Sequence, residues 1–134
     1  MFNFDAICYS LRAEFEGLGS DEYSAESVFR ALLLQWTERL SDHDLECYLE
    51  TNVAARVFCG FELLGATPDS SSFCIARRRI GFEALAQLFN RVREALLIAG
   101  WSIEAFGEVD ASELMGKINI WNGNDCRCAG PKIA

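Results

Sequence analysis

Proline occurs twice in this chain of 134 residues and histidine once. The ten glycines are spread singly, so no stretch has the composition of a flexible linker or a low-complexity tract. A single histidine, His43, excludes histidine-based metal clusters. The start, Met-Phe-Asn-Phe-Asp, has no basic segment followed by an apolar run, so no secretory leader is expected. The most apolar stretch, Val28 to Trp36, is interrupted by Arg30 and Gln35. It is too short to cross a bilayer, so a cytoplasmic chain without a membrane partner is expected. Cysteine is present six times, but not as Cys-x-x-Cys: Cys126 and Cys128 form a Cys-x-Cys, and Cys8, Cys47, Cys59 and Cys74 stand alone in helix-like segments. A free cysteine there acts as a small core hydrophobe, and no structural zinc is expected.

Positive charge is also scarce. Twelve lysines and arginines face twenty acids, a net charge of −8. A chain of that sign lacks the general basic surface of a nucleic-acid binder, whose affinity comes largely from phosphate neutralisation. The distribution is uneven. Residues 1–50 hold eleven acids against Arg12, Arg30 and Arg39, whereas residues 51–100 hold six arginines against four acids. Any contact with DNA therefore belongs to the middle third. Half of the residues are apolar, 51%, enough for one sizeable core.

The apolar spacing is helical for most of the chain. Phe4, Ile7, Cys8, Leu11 and Phe15 recur at three and four before Gly17. Ser24 caps a helix containing Val28, Ala31, Leu32, Leu34, Gln35 and Trp36, apolar around most of its circumference and so expected at the centre. Ser41 with Asp42 and Asp44, and then Asn52, open two further helices, the second stopped by Gly60. Residues 60–67 read as a loop. Pro68-Asp69-Ser70-Ser71-Ser72 starts a helix that Gly81 breaks, and Phe82, Leu85, Phe89, Val92, Leu96 and Ala99 form the clearest stripe, closed by Gly100. That stripe is read as a core face, with pairing to a twin helix as the alternative. Beyond Gly100 the period changes: Phe106 to Ala111 is strand-like, and Lys117-Ile118-Asn119-Ile120-Trp121 alternates as a second strand would.

In this order the residues resemble the helical domain of DDE transposases of the insertion sequence five type. The resemblance is carried by Val28-Phe29-Arg30-Ala31-Leu32-Leu33-Leu34-Gln35-Trp36 and Leu40-Ser41-Asp42-His43-Asp44-Leu45-Glu46, then by Phe58-Cys59-Gly60-Phe61. Thr67-Pro68-Asp69-Ser70-Ser71-Ser72-Phe73-Cys74 leads to Arg77-Arg78-Arg79-Ile80-Gly81, followed by Leu88-Phe89-Asn90-Arg91-Val92-Arg93-Glu94 and Val109-Asp110-Ala111-Ser112. It spans about residues 25–121. Ser70 stands where members commonly have histidine, Ala76 where they have an aromatic, and the stretch after Trp121 departs from the family's charged, helix-forming one.

The resemblance implies a mainly α fold: a compact helical domain of five or six helices over residues 1–106. Residues 107–121 would be the short strand stub of a truncated RNase-H-like catalytic domain, and 122–134 an irregular tail. It implies that Asp110 is the first of three catalytic, metal-binding carboxylates that hold two Mg²⁺ ions in full-length members. With the other two beyond this chain, no metal binding and no strand cleavage is expected of it. Glu108 shares a strand face with Asp110, though solvated acids are the plainer account.

The candidate DNA contacts are Ser70, Ser71 and Ser72 at a helix start, suited to phosphate, with Arg77, Arg78, Arg79, Arg91 and Arg93. The plainer account of Arg77, Arg78 and Arg79 is charge balance with the acidic first third through intramolecular pairs. Expected partners are the terminal inverted repeat DNA, which would bring the protein to the nucleoid, and itself or full-length transposase as an oligomer. The alternative from another class is an orphan acidic helical module that binds protein and not DNA.

Overall fold

The computed structural model describes residues 4–15, 19–20, 22–100 and 107–123. Seven α-helices and one 3-10 turn account for about three-quarters of them, and no strand occurs among the described residues. Helix α1 spans Phe4–Ser10 and is followed by the 3-10 turn Arg12–Phe15. Helices α2 (Ala25–Glu38), α3 (Asp42–Thr51) and α4 (Val53–Cys59) follow, then α5 (Ser70–Ile80), α6 (Phe82–Ile98) and α7 (Ala111–Trp121). The mainly α expectation holds.

Local chemistry sets these boundaries. Side-chain oxygens of Ser24, Ser41, Asn52 and Asp69 accept bonds from the amides of Ser27, Asp44, Ala55 and Ser72, satisfying backbone donors that the first turn leaves open. Gly60 ends α4 with φ +82°, a left-handed conformation that glycine adopts without a Cβ clash.

Helix α2 is the axis of the core, as its apolar circumference predicts. Phe29, Ala31, Leu32 and Trp36 are buried, and α2 packs on the 3-10 turn, α3, α4 and α5. Phe15 stacks on Phe29, which meets Phe89 of α6, and Trp36 lies between Phe89 and Trp121. The stripe of α6 is a core face: Leu85, Phe89, Val92 and Leu96 are buried, although Ala99 lies exposed beyond the helix.

The strand expectation is corrected. Lys117–Trp121 is the second half of a helix, because Leu114, Ile118 and Trp121 fall at i, i+4 and i+7 and turn one apolar row onto the core. Glu113 and Lys117 pair on the outer face at i, i+4. The alternation was ambiguous, since the same residues fit either period. Of the Phe106–Ala111 stretch, residue 106 lies outside the described residues and 107–110 form no ladder. The tail over 124–134 also lies outside them.

Candidate functional site

Three of the predicted DNA contacts are consecutive arginines, and the helix that carries them divides them between inside and outside. Arg77 is fully buried. Its guanidinium grips Asp42 of α3 in a fork, Nη1 to Oδ1 at 2.8 Å and Nη2 to Oδ2 at 2.6 Å, and Nη1 also donates to Gln35 Oε1 of α2 at 3.0 Å. Gln35 Nε2 donates to Asp42 Oδ1 at 2.8 Å. From α7's end Asn122 closes the set, accepting from the Asp42 amide at 2.7 Å and donating to Asp42 Oδ2 at 3.2 Å. Two-point arginine–carboxylate geometry in a desolvated site is strong and directional. The network ties α2, α3, α5 and the end of α7 together. Arg77 therefore holds the fold and does not face a phosphate.

The start of α5 is no open anion site either. The Ser70 amide donates to Glu46 Oε1 at 2.6 Å. Asp69 Oδ1 accepts from the Ser72 amide and from the hydroxyls of Ser71 and Ser72. These bonds, the Ser72 amide foremost, hold the Asp69 carboxyl below the usual carboxylate range. Two carboxylates thus already occupy the positive end of the helix, where a phosphate would meet like charge. Ser70, Ser71 and Ser72 serve as part of a cap.

Arg78 and Arg79 are exposed. Arg79 Nη1 donates to the Gly19 carbonyl at 3.3 Å, while Arg91 of α6 pairs with Glu14 of the 3-10 turn. Two consecutive helices thereby bring Arg79 to Gly19 and Arg91 to Glu14. Arg93 is half-buried on α6. A further arginine of the middle third is spent internally. Arg56 of α4 donates from Nε to Leu49 O at 2.7 Å, and from Nη1 to the carbonyls of Glu62, Leu63 and Gly65 at 2.9 to 3.0 Å. Of the six arginines in residues 51–100, four remain for the surface.

Asp110 sits just ahead of α7 in extended conformation, φ −97° and ψ 141°, exposed and making no side-chain capping bond. Its predecessor Val109 is buried and held by Asn90 at both backbone groups: Asn90 Nδ2 donates to Val109 O, and the Val109 amide donates to Asn90 Oδ1, each at 2.7 Å. A side-chain amide here takes the part a neighbouring strand would take. Among the described residues no group of three or more His, Cys, Asp or Glu side chains could hold a metal ion. One exposed carboxylate does not fit the two-cation chemistry implied for full-length transposases, and no step through Mg²⁺ is derived for this chain.

The sequence signalled neither Asp42, Gln35 and Asn122 as one network nor Asn90 as the holder of Val109. Gln35 in an otherwise apolar helix was the one available sign, because a polar side chain on a buried face needs a partner. Asp42 read as a first-turn acid, and Arg56 carried no sequence mark at all.

No helix among the described residues is long and apolar enough to cross a membrane. No curated protein and no solved structure matches the chain. Residues 1–79, from α1 through Arg79 near the end of α5, match the model of the family described as Transposase domain (DUF772). That match covers more than half of the chain, and by it the protein belongs to the Transposase domain (DUF772) family.

Proposed function

We propose that this chain works in DNA transposition as a helical domain of a DDE transposase of the insertion sequence five type. In this reading it contacts the DNA of an element's ends and assembles with itself or with full-length transposase. The DNA contact runs through Arg78, Arg79, Arg91 and Arg93, and the protein resides in the cytoplasm, on the nucleoid when DNA-bound. The supporting observation is that Arg78, Arg79 and Arg91 stay exposed, Arg79 bonded only to the Gly19 carbonyl and Arg91 to Glu14 among the described residues, in a member of a transposase family. Arginines whose partners are a carbonyl and one exposed carboxylate exchange those partners for phosphates at little cost, because exposed ion pairs are worth ~0–1 kcal/mol. Asp110 is the inherited first carboxylate of the family's three, which alone does not hold two cations.

The test is a titration of duplex from the element's terminal repeat, against a scrambled duplex, at two salt concentrations. Arg78→Ala/Arg79→Ala is the variant of choice, because Arg77 is structural. Removing two phosphate contacts lowers the salt slope by about two. No binding at low salt overturns the DNA reading and leaves an acidic module that binds protein, and equal affinity for both duplexes overturns recognition of the terminal repeat.

A further inference from the structure

Between α5 and the turn ahead of α2 lies a recess of about 130 Å³. The buried Val28, Phe73 and Ala76 floor it, and Tyr23, Ser72 and Arg79 bring polar atoms to its lining. Its walls are set before anything enters. The Ser20 amide donates to Tyr23 O at 2.9 Å, and Ser20 Oγ accepts from the amides of Glu22 and Tyr23, each at 3.3 Å. The Tyr23 ring stands edge-on to Phe61, with 5.7 Å between centroids. On α5, Ser72 is tied to the Asp69 carboxylate through both its amide and its hydroxyl.

Size and charge select the occupant. A cavity of roughly 150 Å³ takes one benzene ring, so this recess suits a single six-membered ring and not a fused pair. An anion does not suit it. The Asp69 carboxylate bonded to Ser72 repels negative charge, and the apolar floor leaves a charge without partners. Burial, with Glu22 and Asp69 nearby, raises the Tyr23 phenol above its ordinary value, so it stays a neutral donor. Arg79, exposed and bonded to Gly19 O at a long 3.3 Å, adds guanidinium donors. The lining thus fits a flat, uncharged ring with acceptor atoms on its edge. The exposed Arg78 and Arg79 favour such a ring when it is carried on a polyanion. We infer that the recess takes one unstacked pyrimidine base of the bound DNA. The inference deepens the DNA contact proposed above and rests on it. The base must leave its stack, because its faces meet the floor and walls of the recess. Walls fixed in advance mean that little conformational freedom is lost when it enters.

The test titrates the full chain with terminal-repeat duplexes altered at one pyrimidine at a time. In one series the pyrimidine is a fluorescent analogue that brightens on unstacking, and in the other it faces a mismatch. At one position the analogue should brighten on binding, and the mismatch there should tighten binding at least ~5-fold, because the lost pairing no longer opposes extrusion. Two variants close the recess: Ser72→Leu fills it and keeps the backbone bond to Asp69, and Ile75→Trp crowds it from an exposed lining position. Both should abolish the two signals and leave the salt slope unchanged, since the phosphate contacts of Arg78 and Arg79 remain. Circular dichroism melting confirms that each variant is folded. A wild type that binds the terminal repeat but shows no such position overturns this inference and leaves the DNA reading standing. Signals that survive in either folded variant also overturn it. No binding to any duplex at low salt overturns the inference and the DNA reading together.

Discussion

Replacing Asp42 by alanine tests whether the buried network, and not surface charge, is what Arg77 contributes. The substitution leaves a fully buried guanidinium with Gln35 Oε1 but without the carboxylate that takes both of its forked bonds, and it strips Asn122 of an acceptor. Breaking a buried pair from one side costs ~3–5 kcal/mol, because the remaining charge stays desolvated. A chain of this length has a total stability on the order of 7–20 kcal/mol, so the loss is a large part of the whole. At about 4 °C per kcal/mol it lowers Tm by ~12–20 °C. Urea unfolding followed by circular dichroism reads the same loss as a lower midpoint at unchanged slope. The paired change Asp42→Leu/Arg77→Met should be much milder than either single change, since apolar replacement of both partners removes the stranded charge. Arg78→Ala/Arg79→Ala should stay within ~0.5 kcal/mol of wild type, as surface substitutions do. An Asp42→Ala loss below ~1 kcal/mol, or a double change as damaging as the single, refutes the assignment of Arg77 to the core.

Asn90→Ala should free the segment before α7 without unfolding the domain. Hydrogen exchange at the Val109 amide should accelerate by at least ~5-fold, as for a lost bond and a stranded buried group of ~1–3 kcal/mol, and unchanged protection there would contradict the Asn90 clasp. The cysteines give a pH prediction: burial pushes the Cys8 thiol up to about 11 and the Cys59 thiol up to about 12, from an ordinary value of 9.0. With folded values above unfolded ones, the stability they contribute is intact below pH 9 and is lost as pH rises from there toward the folded values. Iodoacetamide at pH 8, read by peptide mass mapping, should modify exposed Cys47 well before Cys8 and Cys59, and equal rates would contradict this burial.

Helices α2 to α6 were legible because their boundaries rest on local chemistry. Ser24, Ser41, Asn52 and Asp69 cap from their own positions, and Gly60 and Gly81 stop helices where a side chain would be strained. The α7 segment was not legible, since Ile118 and Ile120 suit a strand's two-residue alternation while Leu114 and Ile118 suit a helix, and only the presence of Trp36 and α6 to pack against chose between them. The site was less legible than the fold. Arg77, Arg78 and Arg79 are identical in type and adjacent in the chain, and nothing local says that the first turns inward.

The sequence by itself determined the helical class, the central place of α2, the caps and the uneven spread of charge, because each depends on neighbours within a few residues. Only the tertiary structure decided which charges are available. Asp42 meets Arg77 across 35 positions and Asn122 across 80, and Arg56 takes three loop carbonyls that no periodicity foretells. Those pairings depend on which helix faces approach one another, and a charge becomes structural or free only when that approach removes it from water.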